Sequence, residues 1–308
     1  MSVYTHVSHA ALAEWIKPLC VGNLLTHVGI AAGMQNSNYY VSTDQGRYVL
    51  TLFEQAEPAT LDFHLALQAH LAQRGIPCPQ PLADAQGKRW HLLAGKPAAL
   101  LSCLSGRDIE QASPAHCQQL GQQLAALHLA GRDFPQPLPH ACDAAWRQSF
   151  GHALLPLLQA NEAALLADEL AFQAAQDNAQ LPRGIIHADL FRDNVLWDEN
   201  GQLSGLLDFY FAGEDVLLFD LAVVANDWAH DAACLAALLN AYHQARPLSA
   251  AEQAAWPAMR RAAALRFWLL RLDVRHRPRA GELVTIKDPE HFRRLLEQLR
   301  LAPDALPL

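Results

Sequence analysis

The sequence predicts an α+β, bilobal protein: a small antiparallel sheet with one helix, followed by a larger and mainly helical part. Three observations support this prediction. Residues typical of β-strands concentrate in the first third of the chain, Ala/Leu/Gln-rich helical stretches follow Gly106, and two short strand-like segments interrupt those helices. We expect the boundary near residue 102, with an N-terminal lobe over 1–102 and a C-terminal lobe over 103–308.

Composition excludes several classes of protein. The chain has 308 residues, of which 51% are hydrophobic and 18% charged, so intrinsic disorder is not expected. The net charge is −8 and no long basic run occurs, which argues against a nucleic-acid partner or a membrane-surface role. Six scattered cysteines without a CxxC pair, and no basic, apolar leader at the N-terminus, predict a cytoplasmic protein. Nothing in the sequence predicts its oligomeric state.

The first part is predicted as strands around one helix. Segments rich in β-forming residues, separated by a Gly/Asn/Ser bend and a turn, are 24–29, 39–43 and 47–53. Leucines at helical spacing predict a helix over 60–74, which ends at Gly75 before a run of prolines. A further hairpin is expected from 90–93 and 98–101, with Lys96 in its turn.

The second part is predicted as helices with strands inserted. Helical stretches span 114–130 and 141–176, and the pattern is helical again from Leu217, with breaks near Pro247 and between Pro278 and Pro289. Short strand-like segments are expected over 184–187, 195–197 and 203–209.

The densest chemical cluster lies between two of these strands. The pattern His187-x-Asp189-x-x-x-x-Asn194 is followed by Asp208 in Leu-Leu-Asp-Phe. One carboxylate can orient and deprotonate a hydroxyl, while an amide oxygen and a second carboxylate are hard ligands suited to Mg²⁺. Singly, each Asp or Asn could equally cap a turn. Together, in this order, they indicate phosphoryl transfer.

These residues are accompanied by further motifs. Leu-Gly-x-x-Leu-Ala-x-Leu-His spans 120–128, and Asp-Leu-Ala begins at Asp220. With them the sequence resembles the protein-kinase-like superfamily in its aminoglycoside-phosphotransferase branch, which implies a protein-kinase-like fold using ATP and Mg²⁺. The resemblance also implies that the N-terminal lobe, 1–102, covers the nucleotide and that the C-terminal lobe, 103–308, is the catalytic and substrate-binding lobe. The resemblance implies a catalytic base at Asp189, metal ligands at Asn194 and Asp208, and supports of the catalytic loop at His187 and Asp220. His128 is interpreted as a core histidine.

Seven separate sequence segments place the resemblance more specifically within this branch. They are 33–39, 48–54, 75–79, 187–197, 207–212, 226–228 and 265–269. Together they are similar to the homoserine kinases of this branch, which phosphorylate the side-chain hydroxyl of L-homoserine to give O-phospho-L-homoserine for threonine biosynthesis. Two alternatives stay open: a kinase for another small alcohol of the aminoglycoside, choline or methylthio-sugar type, and a non-catalytic nucleotide-binding relative.

The second alternative arises from Thr51. Kinases of the superfamily place a lysine on the third strand for the α- and β-phosphates, and here Thr51 occupies that position, where it can donate one neutral hydrogen bond. Arg192 could reach the γ-phosphate or lie at the surface. In the bend that would cover the nucleotide, backbone N–H groups and short amides could hold phosphate oxygens, or form an ordinary turn. Its candidates are Gly33, Asn36, Ser37 and Asn38.

Homoserine is a zwitterion, so its pocket needs a guanidinium and an acidic or carbonyl group. Arg266 lies in an otherwise apolar helical stretch, where an arginine is costly to bury unless it is paired, and it is a candidate for the substrate carboxylate or a structural ion pair. Asp227, Trp228 and Tyr210 are the other substrate candidates. Histidines such as His230 have no ligand spacing, so no zinc site is predicted.

Overall fold

The chain divides into two compact units. The computed structural model describes residues 4–30, 36–277 and 288–301. The first unit comprises Met1–Gly106 with Ser204–Leu206, and the second comprises Arg107–Leu203 and Leu207–Leu308. The function assigned above to each lobe stays a prediction.

A five-stranded antiparallel sheet forms most of the first unit, in the order β1-β2-β3-β5-β4. Its strands are β1 (Leu24–Gly29), β2 (Ser37–Thr43), β3 (Arg47–Leu52), β4 (His91–Leu93) and β5 (Lys96–Ser102). Thr51 of β3 lies opposite Asn38 of β2 on one side and Ala99 of β5 on the other.

The hairpin between β4 and β5 corrects one prediction. Lys96 was expected in the turn, but it is the first residue of β5 and pairs with Leu93. The turn needs only Ala94 and Gly95, both with positive φ, which is the geometry that suits a two-residue connection between twisted strands.

Two helices pack beside the sheet. The first, α1 (His9–Trp15), has seven residues, too short for periodicity to reveal it, and the side chain of Ser8 caps its start. The second, α2 (Pro58–Gln73), begins with proline at its first position and is followed by Gly75, whose φ is +82°. Leu12, Leu50, Leu52 and Leu100 are fully buried in the core of this unit.

The second unit is mainly helical. Its helices are α3 (Pro114–Ala130), α4 (Ala144–Leu154), α5 (Ala160–Ala174), α6 (Leu217–Trp228), α7 (Ala232–Ala245), α8 (Ala250–His276) and α9 (Glu290–Leu301). The single stretch predicted over 141–176 is two helices, because a 3₁₀ turn containing Pro156 ends the first. In the described part of the chain, no helix is long and apolar enough to cross a membrane.

Short strands lie between α5 and α6 along the chain: β6 (Arg183–Ile186), β7 (Val195–Trp197), β8 (Leu203–Leu206) and β9 (Gly213–Val216). Residues Ser204–Leu206 of β8 belong to the first unit. β6 pairs antiparallel with β9, a strand that its short, acidic sequence did not predict. The strand expected over 203–209 ends at Leu206, because Asp208 has a left-handed backbone and a 3₁₀ turn spans Phe209–Phe211.

Close packing of α3 against α7 explains the glycine of the 120–128 motif. A Cβ added to Gly121 would lie 2.3 Å from the carbonyl oxygen of Leu238 in α7. Only glycine allows the helices to approach this closely. The same motif ends at His128, which faces the site described below.

Candidate active site

The loop between β6 and β7, residues 187–194, carries the predicted catalytic cluster and is called the catalytic loop here. The buried carboxylate of Asp220, on α6, accepts the backbone N–H of His187 at 2.7 Å and that of Ala188 at 2.8 Å. Ala188 has a φ of +67°, a conformation costly for a residue with a Cβ. Two charge-assisted hydrogen bonds therefore hold the strained start of the loop.

Asp220 is itself fixed by helix α3. His128 lies 3.0 Å from Asp220 through Nε2 and 2.7 Å from the hydroxyl of Tyr242 through Nδ1. Burial alone would raise the pKa of Asp220, but the hydrogen bond and charge of His128, with His187, hold it below its usual value. Asp220 is thus an ionised, buried carboxylate, and His128 belongs to the network that supports the loop.

The ring of His187 connects the loop to the segment that precedes Asp208. Its Nε2 lies 2.8 Å from the carbonyl oxygen of Leu207, and its Nδ1 lies 3.2 Å from the backbone nitrogen of Asp189. Burial lowers the pKa of His187. These hydrogen-bond partners indicate that the His187 ring is neutral, with Nε2 as donor and Nδ1 as acceptor.

Asn194 contacts Asp189 directly. Its Nδ2 donates to the backbone carbonyl of Asp189 at 2.8 Å and lies 3.4 Å from the carboxylate Oδ2 of Asp189. The amide nitrogen is therefore directed at Asp189, which leaves the amide oxygen as the group that a cation could use.

Asp208 is brought to the same place by the backbone. The N–H of Leu207 donates to the carbonyl of Asn194 at 2.8 Å, and Asp208 has a φ of +61°. The surrounding protein partly dehydrates the Asp208 carboxylate and so raises its pKa, and the negative charge of Asp193 raises it further. The side chain of Asp208 is nevertheless exposed to solvent. Among described residues, no lysine or arginine forms an ion pair with Asp208. Asn194 and Asp208 fit a hard divalent cation through their oxygens.

Arg192 and Asp227 form a pair at the far side of the loop. One carboxylate oxygen of Asp227 accepts the backbone N–H of Arg192 at 2.9 Å and lies 3.2 Å from its Nε. The indole of Trp228 donates to the carbonyl of Leu190 at 3.0 Å and is fully buried. These residues tie the loop to the end of α6, a role that the sequence analysis did not predict.

Arg266 lies under the loop and is fully buried. Its guanidinium donates a short hydrogen bond to the carbonyl oxygen of Ala188, and it lies 4.9 Å from the ring centroid of Phe211 and 4.4 Å from that of Phe267. Among the described residues, its Nε and one terminal nitrogen have no hydrogen-bond partner. The structure thus places this predicted substrate residue against the backbone next to Asp189.

Helix α9 brings residues to this region that sequence reasoning missed. The ring of Phe292 lies 5.1 Å from that of Phe267, which is 4.5 Å from Phe191 in the catalytic loop. Burial lowers the pKa of Arg271, on α8, and of His291, on α9. The negative charge of Asp227 opposes this effect by raising both pKa values. The aromatic and basic residues of α9 form no sequence motif that would have predicted this contribution.

Tyr210, a predicted substrate residue, is half-buried and lies in the 3₁₀ turn after Asp208.

In the first unit, the nucleotide candidates differ in how fully their hydrogen-bonding groups are already used within the protein. The hydroxyl of Thr51 donates to the side-chain oxygen of Asn38 at 2.8 Å. Ser37 is buried, accepts the backbone N–H groups of Tyr4 and Thr5, and donates to Glu54 at 2.7 Å. Ser37 therefore has a full set of partners within the protein. Asn36 is half-buried, and Gly33 lies outside the described residues.

Lys96 does not substitute for the missing lysine. Its ammonium lies 3.0 Å from the backbone carbonyl oxygen of Glu54 and 3.3 Å from the Glu54 carboxylate. Because Ala99 is opposite Thr51 and side chains alternate along β5, Lys96 is on the other face of the sheet.

This geometry agrees with comparisons with known proteins. A family model described as "Phosphotransferase enzyme family" matches residues 26–261, and the chain belongs to that family. Its relatives include a homoserine kinase of Methylobacillus flagellatus, 46% identical, with 96% of this chain and 95% of the relative covered. A homoserine kinase of Methylobacillus glycogenes is 45% identical, with 99% and 98% covered.

Solved structures confirm the predicted protein-kinase-like fold. A choline/ethanolamine kinase family protein from Mesorhizobium loti is 16% identical, with a TM-score of 0.69 and 96% of this chain and 94% of that chain covered. An amicoumacin kinase in complex with AMP-PNP and Ca²⁺ is 13% identical, with a TM-score of 0.67 and 96% and 92% covered.

Proposed function

We propose that the chain is a kinase that transfers the γ-phosphate of ATP to the side-chain hydroxyl of L-homoserine, giving O-phospho-L-homoserine. The observation that carries this function is the convergence of Asp189, Asn194 and Asp208, in a chain 46% identical to a homoserine kinase along nearly its full length. Phosphoryl transfer depends on positioning and charge stabilisation, which this cluster can supply.

Asp189 is the proposed catalytic base. Its carboxylate orients the substrate hydroxyl and accepts its proton as the hydroxyl oxygen attacks the γ-phosphorus. The backbone around it is held from three directions, by Asp220, by the ring of His187 and by the amide of Asn194. A carboxylate fixed in this way loses little freedom when the substrate binds.

Asn194 and Asp208 would hold Mg²⁺. When bound, the ion offsets negative charge on the phosphoryl group. Asp208 suits this task because an ion can reach its exposed carboxylate, and a bound cation would offset the raised pKa and stabilise the ionised form. Asn194 contributes an oxygen while its amide nitrogen stays on Asp189.

Nucleotide binding is assigned to the first unit, on Thr51, Asn38, Asn36 and Gly33, which lies outside the described residues. The hydrogen bond between Thr51 and Asn38 orients both side chains, which supports a neutral contact in place of a lysine. Ser37, saturated by Glu54 and two backbone N–H groups, would support the bend rather than contact phosphate.

The substrate would lie near the Arg192–Asp227 pair and Tyr210. Asp227 is a candidate for the ammonium group, while Arg192 and Arg271 are candidates for carboxylate or γ-phosphate. Arg266 and Trp228 would act through the loop, because both are fully buried and bond to its backbone. We further propose a cytoplasmic location, on the basis of the cysteine usage.

A panel of alcohols tests the proposed function. Purified protein is incubated with ATP, Mg²⁺ and, separately, L-homoserine, choline, an aminoglycoside or a methylthio-sugar, and release of ADP is followed. ADP release that requires homoserine is the expected result. Release with another alcohol selects the rival kinase, and ATP binding without turnover on any alcohol selects the non-catalytic alternative.

A further inference from the structure

A cluster of metal-ligating side chains lies where α6 ends and α7 begins. One ligand atom from each of His230, Asp231 and Cys234 lies within 4.8 Å of the other two. The scattered histidines of the sequence predict no zinc site. The fold creates the cluster by placing Cys234 in the first turn of α7, next to the residues that precede the helix.

A fourth donor comes from another helix. The thiol of Cys117, on α3, interacts electrostatically with that of Cys234 and donates to the carbonyl oxygen of Trp228 at 3.8 Å, but it lies outside the 4.8 Å cluster. Both thiols are fully buried. The combined donor set is two sulfurs, one imidazole and one carboxylate, which suits Zn²⁺ better than Mg²⁺ or Ca²⁺.

The orientation of Asp231 leaves one oxygen for a ligand. Its Oδ1 accepts the backbone N–H of Cys234 at 2.7 Å and so caps α7, while its Oδ2 lies 3.5 Å from Nε2 of His230. The imidazole and carboxylate are exposed, whereas the thiols lie beneath them. An ion can therefore reach the sulfurs from the side of His230 and Asp231.

We propose that Cys117, Cys234, His230 and Asp231 form a structural Zn²⁺ site. Ligand distances of roughly 2.0–2.3 Å require the donors to move closer together, so binding needs rotation of the exposed His230 and Asp231 side chains and of the Cys117 thiol. The site joins α3 to the start of α7 and contains none of the residues assigned to substrate, nucleotide or Mg²⁺.

Zinc binding here displaces protons. Burial raises the pKa of the Cys117 thiol to about 12, and burial also raises that of Cys234. Both thiols are therefore protonated before the ion binds, and each S–H bond is replaced by an S–Zn bond as its proton leaves to solvent. No oxidant or reductant is needed for this exchange.

The site also borders the catalytic loop through Trp228. The N–H of His230 donates to the carbonyl of Trp228 at 3.1 Å, and the indole of Trp228 donates to Leu190. Occupancy would thus stabilise the end of α6, the helix that carries Asp220 and Asp227.

Metal titration of the full-length, reduced protein tests the proposal. Co²⁺ serves as a spectroscopic probe, with thiolate charge-transfer and tetrahedral d–d absorption, and Zn²⁺ is then added in competition. We expect one ion per chain, loss of the thiolate band in Cys234→Ser and Cys117→Ser, and affinity at least about tenfold weaker in His230→Gln. Cys78→Ser, which alters a buried thiol bonded to the carbonyl of Gln68, is the matched control and should bind normally.

Two results would overturn the zinc site. One is wild-type protein that binds no stoichiometric Zn²⁺ or Co²⁺. The other is unchanged affinity in the variants. If a cysteine variant does not fold, the metal affinity of His230→Gln and Asp231→Asn tests the site, because both residues are exposed and asparagine retains the helix cap. Unchanged affinity in both variants would refute the proposal.

Discussion

The carboxylate of Asp220 holds the backbone of Ala188, accepting its N–H at 2.8 Å while Ala188 has a φ of +67°. Ala188 immediately precedes Asp189, so this hydrogen bond sets the direction in which the proposed base leaves the loop. In the next peptide unit, the carbonyl of the same residue, Ala188, accepts from Arg266. A buried anion and a buried cation thus restrain one strained residue.

Replacement of Arg266 tests its role as a positioning residue. In Arg266→Met the Ala188 carbonyl loses its partner, and we expect kcat to fall up to about 100-fold while KM for homoserine changes little. Arg266→Lys should recover part of the activity. Arg260→Met is the control, because Arg260 is also buried on α8 but bonds to Asn226. A large rise in KM for homoserine with kcat preserved would instead show that Arg266 binds the substrate carboxylate.

Removal of the proposed metal ligands should change the dependence on Mg²⁺. In Asp208→Asn we expect the Mg²⁺ concentration for half-maximal activity to rise at least about tenfold, because a charged ligand is lost. Asn194→Ala should shift it in the same direction. Asp193→Asn is the control, since it removes a neighbouring charge from an exposed residue. An unchanged Mg²⁺ titration in Asp208→Asn would contradict the assignment.

Much of this site could be predicted because the reacting groups belong to one short loop and to the residues just after the paired strands β7 and β8 that follow it. Asp189, Asn194 and Asp208 need only local backbone geometry to meet. The partners of Arg192 and Arg266 could not be predicted, because they depend on how α6 and α8 pack beneath the loop. The apolar residues around Arg266 in α8 indicate that this part of the helix is buried, but not which carbonyl the arginine reaches.

The fold was predicted best where periodicity and turn residues agree, as in β1 to β3 and α3. It was predicted less well where elements are short. α1 and β9 are too brief for a pattern, and the turn at Ala94 contains no asparagine or aspartate to mark it. Contributions from α9 were missed because contacts such as Phe191 with Phe292 join positions far apart in the sequence.

A double-mutant cycle tests the pair that stands where a lysine is expected. Thr51→Val and Asn38→Ala each remove one partner of the 2.8 Å hydrogen bond, and we expect their effects on the free energy of unfolding to couple by about 1 kcal/mol. KM for ATP should rise in both. Thr43→Val with Asn38→Ala is the control cycle, because Thr43 bonds to Val21, and should be additive. If the effects of Thr51→Val and Asn38→Ala are also additive, the two side chains do not form a stabilising hydrogen bond.

The folded protein should lose stability as pH falls below neutral. Burial lowers the pKa of His140 and of His187, against the opposing effects of Asp215 and Asp220. Below about pH 6.5 the unfolded chain therefore binds protons that the folded chain does not, and the free energy of unfolding falls with pH. Each histidine contributes at most about 1.4 kcal/mol per pH unit. Asp220 stays ionised in this range because its pKa is lowered.

Urea unfolding at about pH 7.5 and about pH 5.5 measures this loss. His140→Gln removes one titrating ring and can still donate to Asp215, so its stability should depend less on pH than that of the wild type. Equal pH dependence in the two proteins would show that His140 does not contribute.

The most direct test of the proposed reaction is the turnover of Asp189→Asn with ATP, Mg²⁺ and L-homoserine, measured as formation of O-phospho-L-homoserine. We predict a fall in kcat of about 100- to 10,000-fold with an unchanged melting temperature. The same substitution at Asp198, whose carboxylate accepts backbone N–H groups in the turn after β7, should leave kcat near the wild-type value. Near-normal turnover in Asp189→Asn would contradict the assignment of Asp189 as the base.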